Sequence, residues 1–407
     1  MKCRHCNSKL ENEFINLGDA PPSNNYVSQD KLKLQERSYP LRVMVCSNCW
    51  LVQTEDFSDA DELFTDEYAY FSSTSISFLE HAKNYVSEIT KFLKLNQNSL
   101  VVELASNDGY LLKNFVELGI PCLGIEPTKS TANVSRQKGI ETIEEFFGRD
   151  FAKKLSQDKK ADLIIGNNVY AHVPDINDFT AGIKELLSPN GTVTLEFPHL
   201  VELVQNNQFD TIYHEHYSYL SLFSVSQIFN KAGLKIYKVD KLQTHGGSLR
   251  IYGCHKENNM LIDESYNDLI NKEIKLGIND INFYKNFNKI AEKVKDEFYK
   301  FLIDCKEKDL FVCAYGAAAK GNTLLNYCGI KDNLIKFVCD AAEAKQNKFL
   351  PGSKIPIVHP DVLKNQKKID FVIIFPWNIA DEVTAKLDYL KANGTKFVIA
   401  IPKLTII

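Results

Sequence analysis

The chain has 407 residues, of which 44% are hydrophobic and 25% are charged, and its formal net charge is −4. These proportions are typical of a globular protein and exclude a disordered or fibrous chain. Its 48 basic and 52 acidic residues are mixed along the sequence, so nucleic-acid binding, which needs clustered positive charge, is not expected.

The sequence predicts a cytoplasmic protein. No apolar run approaches the roughly 20 residues that a membrane span needs, and the opening residues MKCRHC lack the apolar core of a secretory signal. In a reducing compartment the ten cysteines are expected to be free thiols or metal ligands rather than disulfides. The length predicts two or three domains.

Two cysteine pairs lie near the start of the chain, Cys3 with Cys6 and Cys46 with Cys49. Two residues separate the members of each pair, a spacing that lets both thiolates bind one ion, and four thiolates close the tetrahedral shell of Zn²⁺. The sequence therefore predicts a small module held by a structural zinc ion. The remaining cysteines stand mostly in apolar contexts and are expected to be buried thiols, namely Cys122, Cys254, Cys305, Cys313, Cys328 and Cys339.

Apolar runs alternate with helix-like segments along the rest of the chain. A first set covers residues 100–104, 122–125, 162–166 and 192–196. Its spacing leaves room for crossover helices and predicts a doubly wound parallel sheet. Residues 258–308 have helical spacing and predict an amphipathic helix or helix pair. A second α/β pattern follows, with apolar runs at residues 310–315, 335–340, 371–375 and 396–401.

A glycine-bearing turn, Glu103-Leu-Ala-Ser-Asn-Asp-Gly109, follows the first apolar run. Such a turn, between the carboxyl end of a strand and a helix N-terminus, is where α/β sheets bind nucleotides. It is close to the E-x-G-x-G-x-G pattern of S-adenosylmethionine enzymes, with Ala105 and Asn107 replacing the first two glycines. Glu126 ends the next strand and can accept hydrogen bonds from both ribose hydroxyls. A nicotinamide cofactor would use the same carboxylate, so the residues alone leave both cofactors open.

Two later stretches carry groups suited to catalysis. Residues 167–174, Asn-Asn-Val-Tyr-Ala-His-Val-Pro, follow the third apolar run at the carboxyl edge of the predicted sheet. Residues 213–219 hold two histidines, a carboxylate and three tyrosines. A neutral histidine with a carboxylate and phenols near it is the usual equipment of a general base and an oxyanion stabiliser. A metal site on the His-x-His pair and a packed tyrosine-rich turn are the alternatives.

The sequence contains a set of motifs in a fixed order. They are the two Cys-x2-Cys pairs, Tyr68-x-Tyr-Phe-Ser-Ser73, Glu103-Leu-Ala-Ser-Asn-Asp-Gly109, His172-Val-Pro174, Tyr213-His-Glu-His216, His245-Gly-Gly-Ser-Leu-Arg250 and Gly316-Ala-Ala-Ala-Lys-Gly-Asn-Thr323. Together they resemble one family, the three-domain C-methyltransferases that act on nucleotide-linked 4-keto deoxysugars, among them the enzymes of tetronitrose, novobiose and mycarose-type sugar biosynthesis. The resemblance runs from the first cysteine to the C-terminus, and the Ser-Asn-Asp-Gly form of the turn is normal for this family.

The resemblance implies an α/β protein in three parts. These are a small N-terminal zinc-binding module (residues 1–58), a central Rossmann-like class I methyltransferase domain (59–255), and a C-terminal second Rossmann-like α/β domain (256–407) that helps to bind the nucleotide sugar. The active site would lie in the cleft between them. The resemblance places these residues at the S-adenosylmethionine site: Ser73, Glu103, Asn107, Gly109, Glu126, Glu145, Phe146 and Asn167.

The implied reaction is methylation of the carbon next to the ketone of a 4-keto-6-deoxysugar, at C-3. A hydrogen on that carbon is acidic only because its loss gives an enolate, so the enzyme needs a base and oxyanion donors. The resemblance gives His216 as the base, with Tyr213 and Tyr68 as donors. Glu215 would orient an imidazole or a substrate hydroxyl, and His172 completes the set. The carbon then attacks the sulfonium methyl, which requires in-line positioning above all.

The C-terminal half contains Gly316-x4-Gly321, which resembles a P-loop only superficially because Lys320 precedes the second glycine. A strand, a small-residue turn and a helix N-terminus can nonetheless bind a diphosphate. Lys320, Lys345 and Arg250 are candidates for that contact, with solvent-facing side chains as the alternative. His245 is assigned to substrate binding with them.

The expected partner is a nucleotide-linked deoxysugar, with dTDP as its nucleotide. The absence of a heptad pattern or a long apolar face favours a monomer. Two other interpretations stay open: an NAD-dependent nucleotide-sugar oxidoreductase or epimerase, and a non-enzymatic zinc-containing sensor of a nucleotide sugar.

Overall fold

The computed structural model of the protein describes residues 1–55, 73 and 76–407. The strands, in chain order, are β1 (Asn12–Ala20), β2 (Tyr39–Val45), β3 (Val52–Thr54), β4 (Val101–Leu104), β5 (Cys122–Ile125), β6 (Thr142–Ile143), β7 (Ala161–Asn167), β8 (Leu187–Pro198), β9 (Ser218–Tyr219), β10 (Leu234–Leu242), β11 (Ser248–His255), β12 (Val312–Tyr315), β13 (Val338–Cys339), β14 (Ile357–Val358), β15 (Phe371–Ile374), β16 (Lys396–Ile399) and β17 (Thr405–Ile406).

The α-helices of the described ranges are α1 (Ile76–Leu93), α2 (Leu112–Glu117), α3 (Lys129–Gln137), α4 (Arg149–Leu155), α5 (Ile176–Leu186), α6 (Leu200–Gln205), α7 (Leu222–Ala232), α8 (Glu264–Leu276), α9 (Phe287–Glu307), α10 (Ala319–Cys328) and α11 (Ala380–Lys386). Short 3-10 helices lie at Gln29–Lys31, Tyr170–His172, Phe209–Thr211, Thr244–Gly246, Ile281–Phe283, Glu343–Lys345, Pro360–Asn365, Trp377–Ile379 and Asp388–Asn393. Within these ranges no helix combines the length and the apolar character that crossing a membrane would require.

The N-terminal module is built on an antiparallel sheet with the strand order β1-β2-β3-β9. One cysteine pair precedes β1 and the other lies between β2 and β3. The fourth strand, β9, comes from much later in the chain and pairs with β3 through Val52 with Tyr219 and Gln53 with Ser218. Strand β9 follows the motif Tyr213-His-Glu-His216, so backbone hydrogen bonds join the segment after this motif to the N-terminal module.

The central sheet has seven strands in the order β10-β11-β8-β7-β4-β5-β6. The strands from β8 to β6 run parallel, as the apolar pattern predicts. All four residues of β4 are buried, which is typical of a parallel strand covered on both faces. The hairpin β10–β11, which the pattern did not indicate, adds an antiparallel edge beside β8.

The C-terminal sheet has the order β14-β13-β12-β15-β16-β17, and all its pairs are parallel except β16 with β17. The predicted helix pair between the two α/β parts is present as α8 and α9. Helix α9 also packs on the N-terminal module, where the rings of Phe14 and Phe287 stack with centroids 4.5 Å apart. The fold is thus the predicted mixed α/β architecture, with a four-cysteine module ahead of two parallel-sheet parts.

The buried carboxylate of Glu273 joins helix α8 to the central part by hydrogen bonds. Glu273 is fully buried and accepts hydrogen bonds from the backbone N–H groups of Leu222 and Phe223 at 2.9 and 2.8 Å. His199 Nε2 donates to the same carboxylate at 2.7 Å. Because those two N–H groups open helix α7, the negative charge also faces the positive end of that helix. The contact fixes α8 against the element that follows β9.

Candidate active site

The four N-terminal cysteines form one cluster. All four Sγ atoms lie within 4.8 Å of one another, with Cys3 and Cys49 at 3.4 Å and Cys6 and Cys46 at 3.5 Å. Tetrahedral Zn²⁺ with Zn–S bonds of about 2.3 Å places its sulfur ligands about 3.8 Å apart, so the cluster fits this ion. The four-thiolate site that the spacing predicts is confirmed.

The two cysteine turns have the same backbone geometry. Asn7 N–H donates to the Cys3 carbonyl at 3.0 Å, and Trp50 N–H donates to the Cys46 carbonyl at 2.9 Å. Asn7 and Trp50 both have positive φ, 61° and 59°. Each turn thereby points its two thiols at one position. The other six cysteines are free thiols, as predicted, and all but the partly buried Cys122 are buried.

The turn after β4 adopts the left-handed backbone that glycines usually supply. Ala105, Asn107 and Gly109 have φ values of 53°, 51° and 73°. A Cβ atom on Gly109 would collide with the side chain of Ile140, so this position requires glycine. Asparagine tolerates the left-handed region better than most residues. The Ser-Asn-Asp-Gly sequence thus keeps the shape of the glycine-rich turn with only one glycine.

Two buried carboxylates flank this turn. Glu126 accepts hydrogen bonds from the backbone N–H groups of Asn107 and Thr128, both at 2.9 Å. Glu103 is 1% exposed, and its Oε2 has no hydrogen-bond partner among the described residues. Burial, followed by the charge of Glu126, raises the pKa of Glu103 well above its usual range. A ligand with hydrogen-bond donors would relieve the cost of this buried oxygen.

Three of the other expected cofactor residues, Asn167, Glu145 and Phe146, lie at or after the carboxyl ends of strands of the same sheet. Asn167 ends β7, and its Oδ1 is buried without a hydrogen-bond partner in the described part of the chain. Glu145 and Phe146 follow β6 and are exposed, the phenylalanine by 50%. Ser73 is partly buried, and Tyr68 lies outside the described residues. The buried acceptors at this edge fit the donors of an S-adenosylmethionine molecule.

Two loops bring the histidine cluster together beyond the same edge of the sheet. His172 ends the short helix after β7, and Asp175 caps helix α5 immediately afterwards by accepting from the N–H groups of residues 177 and 178. In the second loop His216 N–H donates to the Tyr213 carbonyl at 3.0 Å. The ring centroid of His216 lies 4.6 Å from that of His172 and 4.0 Å from that of Tyr213. The sequence motifs thus meet in space.

Both histidines of this cluster are held in the neutral form. Burial lowers the pKa of His172 to about 4. Burial lowers the pKa of His216 well below its usual value, and its neighbours His172, His245 and Lys320 add to the shift. A neutral imidazole can accept a proton, so at physiological pH either ring is available as a base.

Glu215 is buried and contacts the N-terminal module. Its Oε2 accepts a hydrogen bond from Asn24 Nδ2 at 2.8 Å. Burial raises the pKa of Glu215 to about 7, and the Asn24 amide opposes that shift. A hydrogen bond to the backbone of Glu215 opposes the burial that lowers the pKa of His172.

His245 and Lys320 face the histidine cluster from the central hairpin and from helix α10. Burial lowers the pKa of His245 to about 4, and the nearby Lys320 charge adds to the shift. The Nε2 atom of His245 is buried without a hydrogen-bond partner among the residues described here. Lys320 Nζ donates to Asn378 Oδ1 at 2.6 Å and lies 4.5 Å from the ring centroid of Trp377.

Asp210 is a buried acid beside Lys320 that was not identified from the sequence. Asp210 Oδ2 accepts from Trp377 Nε1 at 2.7 Å, which links the central and C-terminal parts. Burial raises the pKa of Asp210 to about 6, while the Lys320 charge opposes the shift. The indole partner lies 167 positions further along the chain, so no local spacing could have revealed the pair.

The remaining substrate candidates occupy different places. Arg250 is 3% exposed, its Nε donates to Glu196 Oε1 at 2.7 Å, and its guanidinium lies 4.4 Å from the ring centroid of Tyr85. The Arg250 guanidinium is thus paired with a carboxylate inside the central sheet. Lys345 donates to the Ala317 carbonyl at 2.9 Å, on the turn after β12.

The turn after β12 is held in the same way as the turn after β4. Asp340, which follows β13, accepts from the N–H groups of Ala317 and Ala342 at 2.7 and 2.8 Å. Glu126 contacts its own turn through the same pair of bonds. Both α/β parts therefore carry a carboxylate at the end of their second strand that fixes the strand-to-helix turn.

All three parts of the protein contact the loop of the histidine cluster. Thr323 Oγ1, on helix α10, donates to the Ile212 carbonyl at 2.8 Å. His214 Nε2 donates to the Tyr39 carbonyl of strand β2 at 3.1 Å. The cluster thus lies where the N-terminal module, the central sheet and the C-terminal part meet.

Three family profiles match the chain consecutively. They are a zinc binding domain at residues 3–64, a methyltransferase domain at 78–239 and a C-methyltransferase C-terminal domain at 243–402. The chain is also 31% identical to C-methyltransferase NovU from Streptomyces niveus, over all of this chain and 96% of that protein.

Two weaker likenesses cover only part of the chain. The ubiquinone biosynthesis O-methyltransferase of Pasteurella multocida is 29% identical over 105 residues, 23% of this chain and 43% of that protein. The crystal structure of an S-adenosylmethionine-dependent methyltransferase from Anabaena variabilis covers 49% of this chain and 96% of its own, at 13% identity and a TM-score of 0.39. The full-length match and the three consecutive profiles decide the assignment: the chain belongs to the three-domain C-methyltransferase family, whose methyl donor is S-adenosylmethionine and whose N-terminal domain binds zinc.

Proposed function

We propose that this C-methyltransferase methylates a nucleotide-linked 4-keto-6-deoxysugar at C-3, with dTDP as the nucleotide. The observation that carries the proposal is the buried cluster in which the neutral rings of His172 and His216 lie 4.6 Å apart beside Tyr213. A base next to hydrogen-bond donors is what removal of a hydrogen beside a ketone requires. The motif resemblance supplies the sugar class, and the three domains are proposed to span residues 1–58, 59–255 and 256–407.

His216 is the proposed base. Its low pKa keeps the ring unprotonated, so its nitrogen can take the C-3 hydrogen as a proton while the electron pair moves into the ketone oxygen. A weak base is sufficient only where the enolate is strongly stabilised. Tyr213 and Tyr68 would donate hydrogen bonds to that oxygen, and the Lys320 charge, which already acts on His216, favours the anion.

The remaining groups orient the reactants. His172 completes the donor set, and Glu215 would accept a hydrogen bond from a sugar hydroxyl. S-adenosylmethionine supplies an electrophilic methyl group on its sulfonium. The chain's task is to hold the sugar carbon in line with that methyl and to exclude water, which needs positioning rather than another catalytic group.

The proposed cofactor contacts follow the edge of the central sheet. Glu126 would accept from the ribose hydroxyls, and Asn107 and Gly109 provide the close backbone approach. Asn167 and Glu103 would use their buried acceptors. Three further residues of the proposed site are Ser73, Glu145 and Phe146.

Replacing Glu126 with alanine is expected to weaken S-adenosylmethionine binding by roughly 10- to 100-fold for each ribose hydrogen bond that is lost. The substitution removes a charged acceptor worth about 1.5–3 kcal/mol per hydrogen bond and releases the Asn107 N–H. Titration calorimetry measures the change directly, and Glu141→Ala, at an exposed position just before β6, is the matched control. An unchanged dissociation constant in Glu126→Ala would remove this residue from the cofactor site.

The pH dependence of the reaction should follow Glu215. Its pKa of about 7 means that the carboxyl group is mostly protonated at pH 6 and mostly ionised at pH 8. If the ionised form accepts from the sugar, kcat/KM rises with pH through a midpoint near 7. In Glu215→Gln that limb should disappear, which leaves only an acid limb at lower pH from the histidines, whose pKa values are lowered by burial. The same midpoint in both proteins would show that another group titrates.

The proposal is tested with a panel of dTDP-, UDP- and GDP-linked 4-keto-6-deoxysugars, each incubated with S-adenosylmethionine and the full-length protein. Mass spectrometry should find a nucleotide sugar heavier by one methylene, formed fastest from the dTDP series. The panel should include 4-hydroxy sugars as controls, because they have no acidified carbon hydrogen. Methylation of the 4-hydroxy sugars at the same rate would contradict enolate chemistry.

A further inference from the structure

One residue of the zinc module contacts both segments of the chain that carry the clustered histidines. Arg4 lies between the first two cysteine ligands. Its Nη1 donates to the Pro174 carbonyl at 3.3 Å, and its Nη2 donates to the Thr54 carbonyl at 3.1 Å. The guanidinium also lies 4.9 Å from the ring centroid of Tyr217. A single planar group thus joins three separate stretches of chain.

Each of these residues that Arg4 contacts is either close in sequence to His172 or His216 or hydrogen-bonded to one of them. Pro174 stands two positions after His172. Thr54 donates from its hydroxyl to the His216 carbonyl at 3.3 Å and from its backbone N–H to the Tyr217 carbonyl at 3.2 Å. The guanidinium therefore stands between the two segments whose imidazole rings are 4.6 Å apart.

The cysteine turn that presents Arg4 is itself fixed to the central part. Asn177 Nδ2 donates to the carbonyls of Arg4 and His5, both at 2.9 Å, and Asn177 Oδ1 accepts from His5 Nδ1 at 2.8 Å. Lys231 Nζ donates to the His5 carbonyl at 2.8 Å. Asn177 lies three positions after Pro174, on the segment that follows His172. The side chain of Arg4 and the turn that carries it therefore both contact this segment.

We propose that Arg4 is a positioning residue that sets the distance between His172 and His216. The rigid fork of a guanidinium can donate to two carbonyls at once, which a lysine ammonium on a flexible stem does poorly. Arg4 lies on the turn between the zinc ligands Cys3 and Cys6, so zinc binding fixes the direction of its side chain. The zinc module thereby positions the two rings of the histidine cluster. This inference rests on the proposed function, because it gives the two histidines their task.

The test compares Arg4→Lys and Arg4→Ala with Arg42→Lys and Arg42→Ala. Arg42 belongs to the same module, but its guanidinium pairs with the carboxylates of Glu13 and Glu55. In the Arg4 variants we expect one zinc ion per chain and unchanged S-adenosylmethionine affinity, with kcat lowered at least 10-fold and KM nearly unchanged. The Arg42 variants should keep the parent kcat.

Histidine-ring NMR signals provide a readout that needs no substrate. The signals assigned to His172 and His216 should shift in Arg4→Lys and stay in place in Arg42→Lys. If an Arg4 variant loses zinc or unfolds, Asn177→Ala releases the same turn from the opposite side and should shift the same signals. The inference would be overturned if Arg4→Lys and Asn177→Ala both kept the His172 and His216 signals and the kcat of the unmodified protein. An unmodified protein that methylates none of the sugars would instead overturn the proposed function alone.

Discussion

Replacing His216 with asparagine is expected to lower the rate of methyl transfer by roughly 10²- to 10⁴-fold, the usual contribution of a general base. Asparagine keeps a polar group about where the imidazole has its Nδ1, but it cannot take a proton at any pH of interest. The ring that it replaces lies against both Tyr213 and His172. S-adenosylmethionine affinity should be unchanged, because His216 is not among the proposed cofactor contacts.

Two rates measured in heavy water separate the steps of the reaction. The parent protein should methylate the sugar and exchange its C-3 hydrogen, and His216→Asn should do neither at a comparable rate. His359→Asn is a suitable control, because that histidine is exposed and caps a short helix, a role that asparagine also fills. Exchange at the parent rate in His216→Asn would place the base elsewhere in the cluster.

Loss of the zinc ion is expected to unfold the N-terminal module and to abolish activity. Structural zinc contributes about 10–16 kcal/mol of apparent binding free energy, and in such small modules this energy is coupled to folding. The consequences should reach the reaction cluster, because Asn24 of the module holds Glu215 and strand β3 pairs with β9. Cys46→Ser should reproduce the effect of a chelator.

Metal analysis, circular dichroism and activity measured on the same samples test this expectation. Cys122→Ser, which changes a partly buried thiol outside the cluster, should retain zinc, fold and turnover. A Cys46→Ser protein that stays folded and metal-loaded but is inactive would contradict a structural role. A zinc-free protein that keeps the circular dichroism spectrum and the methylation rate of the zinc-bound protein would show that the ion is not needed.

Local patterns predicted the parts of the protein that depend on local physics. The apolar run at residues 100–104, for example, became the buried parallel strand β4 because both faces of that sheet are covered. The two cysteine pairs met because each pair needs only one turn to form its half of the site. The substituted glycine turn kept its shape because Asn107 tolerates positive φ.

Features that depend on distant pairing were not predictable. Strand β9 has two residues, and its place in the N-terminal sheet follows from its partner and not from its composition. The Asp210–Trp377 and Arg4–Pro174 contacts join residues about 170 positions apart in sequence. The pairing of Arg250 with Glu196 on the neighbouring strand was likewise not indicated by the sequence.

The full-length relative decides against the NAD-dependent oxidoreductase or epimerase and against the non-enzymatic sensor. Glu126 is compatible with either cofactor, and the carboxylate alone does not distinguish them. The 31% identity to a C-methyltransferase across the whole chain, together with the methyltransferase and C-methyltransferase profiles, makes that distinction.

The position of the transferred methyl group distinguishes C-3 methylation most directly from other methyl transfers. A dTDP-linked 4-keto-6-deoxysugar is incubated with the protein and S-adenosylmethionine that carries ¹³C in its methyl group, and the product is examined by NMR. We expect a ¹³C methyl bonded to ring carbon C-3, with the C-3 hydrogen lost. A labelled methyl on oxygen or nitrogen, or on a carbon not adjacent to the ketone, would contradict it.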